Sequence, residues 1–362
     1  MKKLKKLELN QSSAHFANRG LSDTLFLFNL INLHSVRLNG HAICNISSLH
    51  RLSNLSDLEL NGNAIEDVTV LSNLTKLNCL SLSRNKITNI TGFHKLHNLY
   101  YLKLDNNCLT DISPLAGLCR LTHLYLSNND IQDCGPLSAL IALQDLEVND
   151  NDIQDYCSPL SALTHIKRFD FSSNKLTDNT PLSNLRKLEH LILDNNCIQK
   201  INSKTDSTVG IQNLIQLRIL NMSHNQLDDI SSLSKLVKLD DLNLSHNNIQ
   251  DCSPLSSALW VNRLNLSSNK ISDITPLSNL LNLDYLYLNN NFIKDISPLV
   301  ELRLDEGLWL GNNQITDMTP LLDMDEVTID YLDITSNPIE NLDVLEQLCF
   351  YEPETTSDED YW

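Results

Sequence analysis

The sequence predicts an α/β solenoid, a curved horseshoe with a parallel β-sheet on its concave face and short helical or 3-10 turns on its convex side. Three observations lead to this prediction. An asparagine recurs in the frame L-x-L-x-x-N, mostly at intervals of 22 or 23 residues. The leucines of the frame alternate with other residues, which is the period of a β-strand. Most of the prolines fall in one phase of the repeat, usually after a Ser or Thr, and this pattern is typical of a helix start.

The repeat divides the chain into three segments. Residues 1–29 form a degenerate N-terminal repeat or cap region, in which Leu4 begins the frame and Ser12 takes the asparagine position. Residues 30–348 hold about 14 repeats, the first with His41 in the asparagine position. Residues 349–362 are acidic and aperiodic, so we expect disorder. The frame asparagines are Asn63, Asn85, Asn107, Asn129, Asn151, Asn174, Asn196, Asn225, Asn247, Asn269, Asn291, Asn313 and Asn337.

Each repeat position has a predicted role. In the stretch DYLYLN, the leucines point inward and the residues between them point outward. The following asparagine carries two donors and an acceptor, so it can satisfy backbone groups of the turn and stack into a ladder. The Ser or Thr before proline is expected to cap the short helical return segment. A polar insertion, Asn202 to Gly210, lengthens one return segment and is expected to be tolerated.

Composition excludes several function classes. The formal charge of −18 argues against binding to nucleic acid or to an anionic membrane, since both need clustered Lys and Arg. No apolar run is long enough to span a bilayer, and the basic start lacks the apolar segment of a signal peptide. The nine cysteines include no CxxC pair. We expect them to be reduced and the protein to be cytoplasmic, with an exported effector lacking a cleavable signal as the alternative.

The segment NKISDITPLSNLLNLDYLYLNNNFIKDISPL resembles the 22-residue class of leucine-rich repeats. That class is shared by bacterial internalins and by the leucine-rich regulatory subunit of type-1 protein phosphatase, and the wording D-I-[ST]-P-L is closer to the internalins. The resemblance covers about residues 30 to 348. It implies a scaffold that binds another protein through its concave face. Two alternatives stay open: a regulatory subunit of an enzyme such as a phosphatase, and an internalin-like effector or adhesin acting on host cells.

The candidate binding residues occupy the outward strand positions, six and four residues before the frame asparagine. The repeat does not require large apolar side chains there, yet aromatic residues cluster near the C-terminal end. Gly307 between two of them is expected to leave a notch about 10 Å wide, two strand spacings. This patch predicts a protein contact, because exposed aromatics are typical of binding hot spots. The alternative is that the rings only pack on one another across strands. The patch comprises Tyr285, Tyr287, Gly307, Trp309 and Tyr331.

A second candidate group lies nearer the N-terminus and consists of Tyr101, His123 and Tyr125. Beside it the outward positions carry Asp145 and Glu147, which favour a basic partner. The alternative for these carboxylates is a solvated face that keeps the protein soluble.

Two adjacent histidines, His224 and His246, are predicted to stack, but spacing supplies no third metal ligand. The chain carries none of the common catalytic motifs. We therefore expect a monomer that binds another protein and has no catalytic activity, metal or cofactor.

Overall fold

The computed structural model describes residues 4–11, 20–154, 158–201, 210–324 and 329–347. These residues form two compact units, Met1–Leu176 and Thr177–Trp362. The acidic tail 349–362, most of the insertion at 202–210, Ser12 and Cys157 lie outside the described residues.

In the first unit, short parallel strands follow one another in chain order, each paired in register with the next. Short 3-10 helices connect them. The strands are β1 (Lys6–Glu8), β2 (Ser35–Arg37), β3 (Asp57–Glu59), β4 (Cys79–Ser81), β5 (Tyr101–Lys103), β6 (His123–Tyr125), β7 (Asp145–Glu147) and β8 (Arg168–Asp170). The helices are Leu25–Leu27, Ser47–Arg51, Thr69–Asn73, Thr91–Lys95, Ser113–Leu115, Gly135–Ala139 and Ser158–Ala162.

The second unit repeats this arrangement. Its strands are β9 (His190–Ile192), β10 (Ile219–Asn221), β11 (Asp241–Asn243), β12 (Arg263–Asn265), β13 (Tyr285–Tyr287), β14 (Gly307–Trp309) and β15 (Tyr331–Asp333). Its 3-10 helices are Thr180–Asn184, Ile211–Asn213, Ser231–Lys235, Ser253–Ser257, Thr275–Leu277, Ser297–Leu299, Thr319–Asp323 and Leu342–Gln347. The architecture confirms the predicted solenoid of parallel strands and 3-10 turns. Within the described residues, no helix is long and apolar enough to cross a membrane.

The core of each unit is a stack of aliphatic columns. The middle residue of a strand is buried against its equivalents in the neighbouring repeats, as with Leu58, Leu80 and Leu102. Fully burying one such side chain contributes about 1.5–3 kcal/mol, and one repeat alone cannot cover its leucines. The predicted strand phase is therefore confirmed.

The frame asparagines form the predicted ladder. The Asn85 amide nitrogen donates to the carbonyls of Leu60 and Leu82 at 3.0 and 2.9 Å, and the Asn85 Oδ1 accepts from the backbone N–H of Ile65 at 3.1 Å. Each such side chain thus joins its own strand end to the turn of the preceding repeat. His41 takes over this role at the start of the array, since its Nε2 lies 2.5 Å from the Leu9 carbonyl and its Nδ1 accepts from Leu21 N–H.

The residue directly before His41 and before each frame asparagine adopts a left-handed backbone conformation. Gly40 and Gly62 take it at the first two positions, with φ of 78° and 63°. Later repeats place other residues there, including Arg84 (φ 56°) and His246 (φ 53°). This column carries a conformational cost of about 1–2 kcal/mol per non-glycine residue, which the surrounding ladder must offset.

The start of the 3-10 helices differs from the prediction in one respect. The Ser or Thr before proline is the first helical residue, and it does not cap the helix. In the helix Ser113–Leu115, the N-cap is Ile112 and the acceptor is the side chain of Asp111, which takes the Ser113 N–H at 2.8 Å. An Asp two residues earlier reaches this N–H because its short carboxylate folds back over the turn. The predicted capping residue was therefore wrong, although the helix start was placed correctly.

Candidate functional site

The outward side chains of the strands form a surface that we call the strand face. It comprises the first and third residue of each strand, on either side of the buried middle residue. Leu286 is fully buried, whereas its neighbours Tyr285 and Tyr287 are half-buried. Side chains of the strand face are therefore available to a partner while their backbone is held by the core.

Three rings of the second unit stack across neighbouring strands, and we call them the aromatic stack. The Tyr287 and Trp309 ring centroids lie 4.0 Å apart with an interplanar angle of 17°. The Trp309 and Tyr331 centroids lie 5.1 Å apart at 29°. Tyr287 lies opposite Trp309 in register, whereas Tyr331 lies opposite Gly307, and the Trp309 indole meets Tyr331 because it lies over that glycine. The structure thus brings three of the predicted aromatic residues into one group.

The notch predicted at Gly307 is not open. The Trp309 indole lies over Gly307, so a Cβ at this position would come within 2.5 Å of the ring. Gly307 is buried beneath this ring. The glycine therefore creates space for the tryptophan of its own strand and leaves none for a partner. The prediction of a notch was wrong because it placed an empty volume where a neighbouring side chain lies.

Tyr285 lies beside the stack and has a different environment. The Arg263 guanidinium carbon is 4.2 Å from its ring centroid, a cation–π contact between adjacent strands. Burial and the nearby Glu306 carboxylate raise the pKa of the Tyr285 hydroxyl. Arg263 was not among the residues singled out from the sequence. Its position in the same strand-face column as Tyr285 was the available signal.

The first unit holds a smaller group of rings around Tyr101, which we call the Tyr101 cluster. The Tyr101 centroid is 5.8 Å from that of His123 and 5.7 Å from that of Tyr125. The Lys103 ammonium lies over the Tyr125 ring at 4.4 Å from its centroid. The predicted residues are therefore in contact, and Lys103, which the sequence reasoning missed, joins them.

Carboxylates adjoin the Tyr101 cluster on the next strand. The Tyr125 hydroxyl is 3.4 Å from Asp145, and Arg168 approaches Asp145 at 3.9 Å. Burial, followed by the charges of Asp170, Asp105 and Asp145, raises the pKa of Glu147. Burial and the charge of Asp145 also raise the pKa of the Tyr125 hydroxyl. Burial is the larger cause of both shifts, and the neighbouring carboxylates add to it, while the charge of Lys103 opposes the shift of Glu147.

Two buried oxygens next to these groups have no hydrogen-bond partner among the described residues. They are Asn289 Oδ1, two residues after Tyr287, and Asp105 Oδ1, two residues after Lys103. A buried acceptor without a partner costs about 1–3 kcal/mol. Both oxygens are enclosed by the chain, so each is a local cost of the fold.

His224 and His246 stack as predicted, with ring centroids 4.0 Å apart. Within the described part of the chain, they are not joined by a third His, Cys, Asp or Glu in an arrangement that could hold a metal. Both residues occupy the left-handed column, so the stacking follows from the repeat geometry.

The family profile described as Leucine Rich repeats (2 copies) matches residues 75–117, 119–161, 215–257 and 261–301. The chain therefore contains leucine-rich repeats over these residues. Among solved structures, this leucine-rich repeat protein is similar to the internalin InlF of Listeria monocytogenes. The two are 29% identical, the match covers 90% of this chain and 88% of InlF, and the TM-score is 0.70. The predicted resemblance to internalins is therefore confirmed.

Other structures share the fold of this leucine-rich repeat protein. A leucine-rich repeat protein of Leptospira interrogans matches with 22% identity and a TM-score of 0.80, over 92% of each chain. The plant peptide hormone receptor RGFR1, solved in complex with RGF2, matches with 19% identity and a TM-score of 0.68 over 92% of this chain and 58% of the receptor. No curated protein matches the sequence significantly. Proteins of this fold are typically non-enzymatic scaffolds for protein interactions.

Proposed function

We propose that this leucine-rich repeat protein is a non-catalytic scaffold that binds another protein through its strand face, with the aromatic stack as the main contact. The observation that carries the proposal is the stack itself. Tyr287, Trp309 and Tyr331 occupy positions that the leucine core does not need, and Tyr331 is 46% exposed. Large, pre-ordered aromatic side chains lose little entropy on binding and bury much apolar area.

The Tyr101 cluster supports a second, electrostatic contact on the first unit. The proximity of Glu147 to Asp145 and Asp170 favours a lysine or arginine of the partner. Clustered carboxylates mainly increase the rate of association with a basic protein. In this proposal the aromatic stack provides most of the binding affinity, and the carboxylates increase the rate at which the partner associates.

We further propose that the protein acts in a reducing, cytoplasmic compartment. Cys134 and Cys252 are buried in the aliphatic columns, where a thiol packs as a small apolar side chain. The similarity to InlF favours a second role, that of an internalin-like protein acting on host cells. Recovery of the protein from culture supernatant or host cytosol would select the second role, and retention in the cell would select the first.

The test is affinity capture from a lysate, followed by titration of the purified partner. The double variant Tyr287→Ser with Trp309→Ser should lose about thirtyfold in affinity, because truncating hot-spot aromatics typically costs about 2 kcal/mol. Its melting temperature should fall only slightly, since a lost ring stack costs about 0.5–1.5 kcal/mol.

Two control variants separate the stack from the rest of the surface. Trp260→Ser removes a ring that is 68% exposed in the turn before β12, off the strand face, and should leave affinity unchanged. Asp145→Ser with Glu147→Ser should mainly slow association and reduce its salt dependence. Full affinity in the aromatic double variant would refute the proposal.

A further inference from the structure

Among the residues that the structure describes, the first strand of the array, β1, is an edge strand that pairs only with β2. Its leucines are poorly covered. Leu7 is half-buried, whereas its register partner Val36 is fully buried. Leu4 and Leu9 on either side are 42% and 45% exposed. An exposed edge of this kind is a template for pairing with another strand.

The backbone of β1 presents alternate residues to the outside. Lys5 O accepts from Ser35 N–H at 3.1 Å, and Leu9 N–H donates to Arg37 O at 2.9 Å. These odd-numbered residues direct their peptide groups towards β2. Peptide groups alternate along a strand, so those of Lys6 and Glu8 point away from the sheet.

The side chains at these two positions carry opposite charges. Lys6 and Glu8 lie on the strand face and are 59% and 43% exposed. If two copies pair antiparallel about Leu7, Lys6 of each copy lies opposite Glu8 of the other. The same pairing joins the two outward-facing peptide groups, because residues 6 and 8 exchange both backbone hydrogen bonds. It also places Leu7 of one copy against Leu7 of the other. The backbone hydrogen bonds, the charge pairs and the leucine contact therefore all favour the same register.

We propose that β1 is a self-complementary dimer interface, in which a second copy of this chain extends the sheet across a twofold axis. An isologous contact of this kind closes on itself and removes the exposed edge. It replaces the monomer expected from the sequence, and it does not depend on the proposed partner-binding function. Pairing of β1 with β15 of another copy would instead produce open chains.

Sedimentation of the full chain over a range of concentrations tests the dimer. The wild type should approach twice the monomer mass of 41.0 kDa as its concentration rises. Lys6→Glu and Glu8→Lys each turn two opposite-charge pairs into two like-charge pairs. Each should weaken self-association at least about tenfold. A mixture of the two variants restores every opposite pair, so the mixture should dimerise while each variant alone stays monomeric.

Lys86→Glu is the matched control, because it changes the same charge at an exposed position far from β1 along the chain, and it should dimerise like the wild type. Circular dichroism of each variant checks that the array still folds. A wild type that stays at the monomer mass overturns the proposal. So does association that Lys6→Glu leaves unchanged, species that grow beyond the dimer, or a mixture that stays monomeric.

Discussion

At the residue scale, the hydrogen bonds of the frame asparagine explain why this residue recurs at the same position of the repeat. Asn129 donates to the carbonyls of Leu104 and Leu126 at 3.1 and 2.9 Å and accepts from Leu109 N–H at 2.9 Å. Its side chain is buried, so water cannot replace these bonds. Asparagine suits this position because it is a donor and an acceptor within one short, planar group.

Asn129→Ala should lower the free energy of unfolding by about 2–4 kcal/mol, since it leaves several backbone groups buried and unsatisfied. Asn129→Asp should cost at least as much at neutral pH, because a carboxylate accepts from Leu109 N–H but repels the two carbonyls. Urea denaturation of both variants measures these changes. A stable aspartate variant would show that the donor side of the amide is dispensable.

The left-handed column offers a way to stabilise the protein. Arg84 is exposed and holds φ at 56°, a conformation that glycine adopts without a steric cost. Arg84→Gly should therefore raise the free energy of unfolding by about 0.5–1 kcal/mol. The control is Lys86→Gly, an exposed position two residues on whose φ is not positive, which should lose stability by a similar amount. Equal losses in the two variants would contradict the assigned backbone.

The stacked histidines make stability depend on pH. Burial and the charge of His224 lower the pKa of His246 below its ordinary value of 6.5. The unfolded chain therefore binds the proton more tightly than the folded chain. This contribution to stability is complete above pH 6.5 and is lost as the pH falls below it. Asparagine is also suited to the left-handed backbone. When the pH is lowered from about 8 to about 5, the free energy of unfolding of His246→Asn should therefore decrease less than that of the wild type. Parallel urea midpoints of the two proteins would refute this link.

At the element scale, the start of each 3-10 helix depends on one carboxylate. Backbone and side-chain hydrogen bonds from Ser113 hold the pKa of Asp111 below its ordinary value of 3.8, and Thr275 acts in the same way on Asp273. A depressed carboxyl pKa contributes stability above 3.8, and this is lost as the pH falls through the lower folded value. Other repeats place a neutral amide here, since Asn89 accepts from Thr91 N–H at 2.8 Å.

Asp111→Asn should keep this hydrogen bond and lose its dependence on pH. Its urea midpoint at about pH 7 should stay close to that of the wild type. Between about pH 5 and about pH 2, it should fall less than the wild-type midpoint. A variant that follows the wild type over this range would show that Asp111 does not contribute to acid unfolding. A variant that is already unstable at neutral pH would show that the charge, and not the acceptor geometry, holds the turn.

The elements also show what could be predicted. Strand phase, the asparagine ladder and the 3-10 turns follow from backbone periodicity, which a sequence displays directly. The position of the Trp309 indole over Gly307 follows from a rotamer and from the ring on the adjacent strand, and neither is encoded in the spacing. The same holds for Lys103 over Tyr125. The left-handed column could have been found, since Gly40 and Gly62 open a position that asparagine often fills later.

At the scale of the whole molecule, the two units carry different surfaces on the same scaffold. The second unit presents stacked rings, and the first presents rings beside carboxylates. The chain as a whole has a formal charge of −18. A basic partner would therefore be attracted over a distance of about one Debye length and held by contact with the rings. Core leucines are shared by all repeats, so under the proposed function a partner would be selected by the few strand-face positions that differ.

The most direct measurement of where a partner binds is oxidative footprinting of the wild-type chain, alone and with its purified partner. Trp309 on the strand face and Trp260 in the turn before β12 are both in the second unit and both reach solvent. We expect the partner to protect Trp309 and Tyr287 from oxidation and to leave Trp260 unchanged. Protection of Trp260 with no change at Trp309 would contradict it and would assign binding to the return side of the repeats.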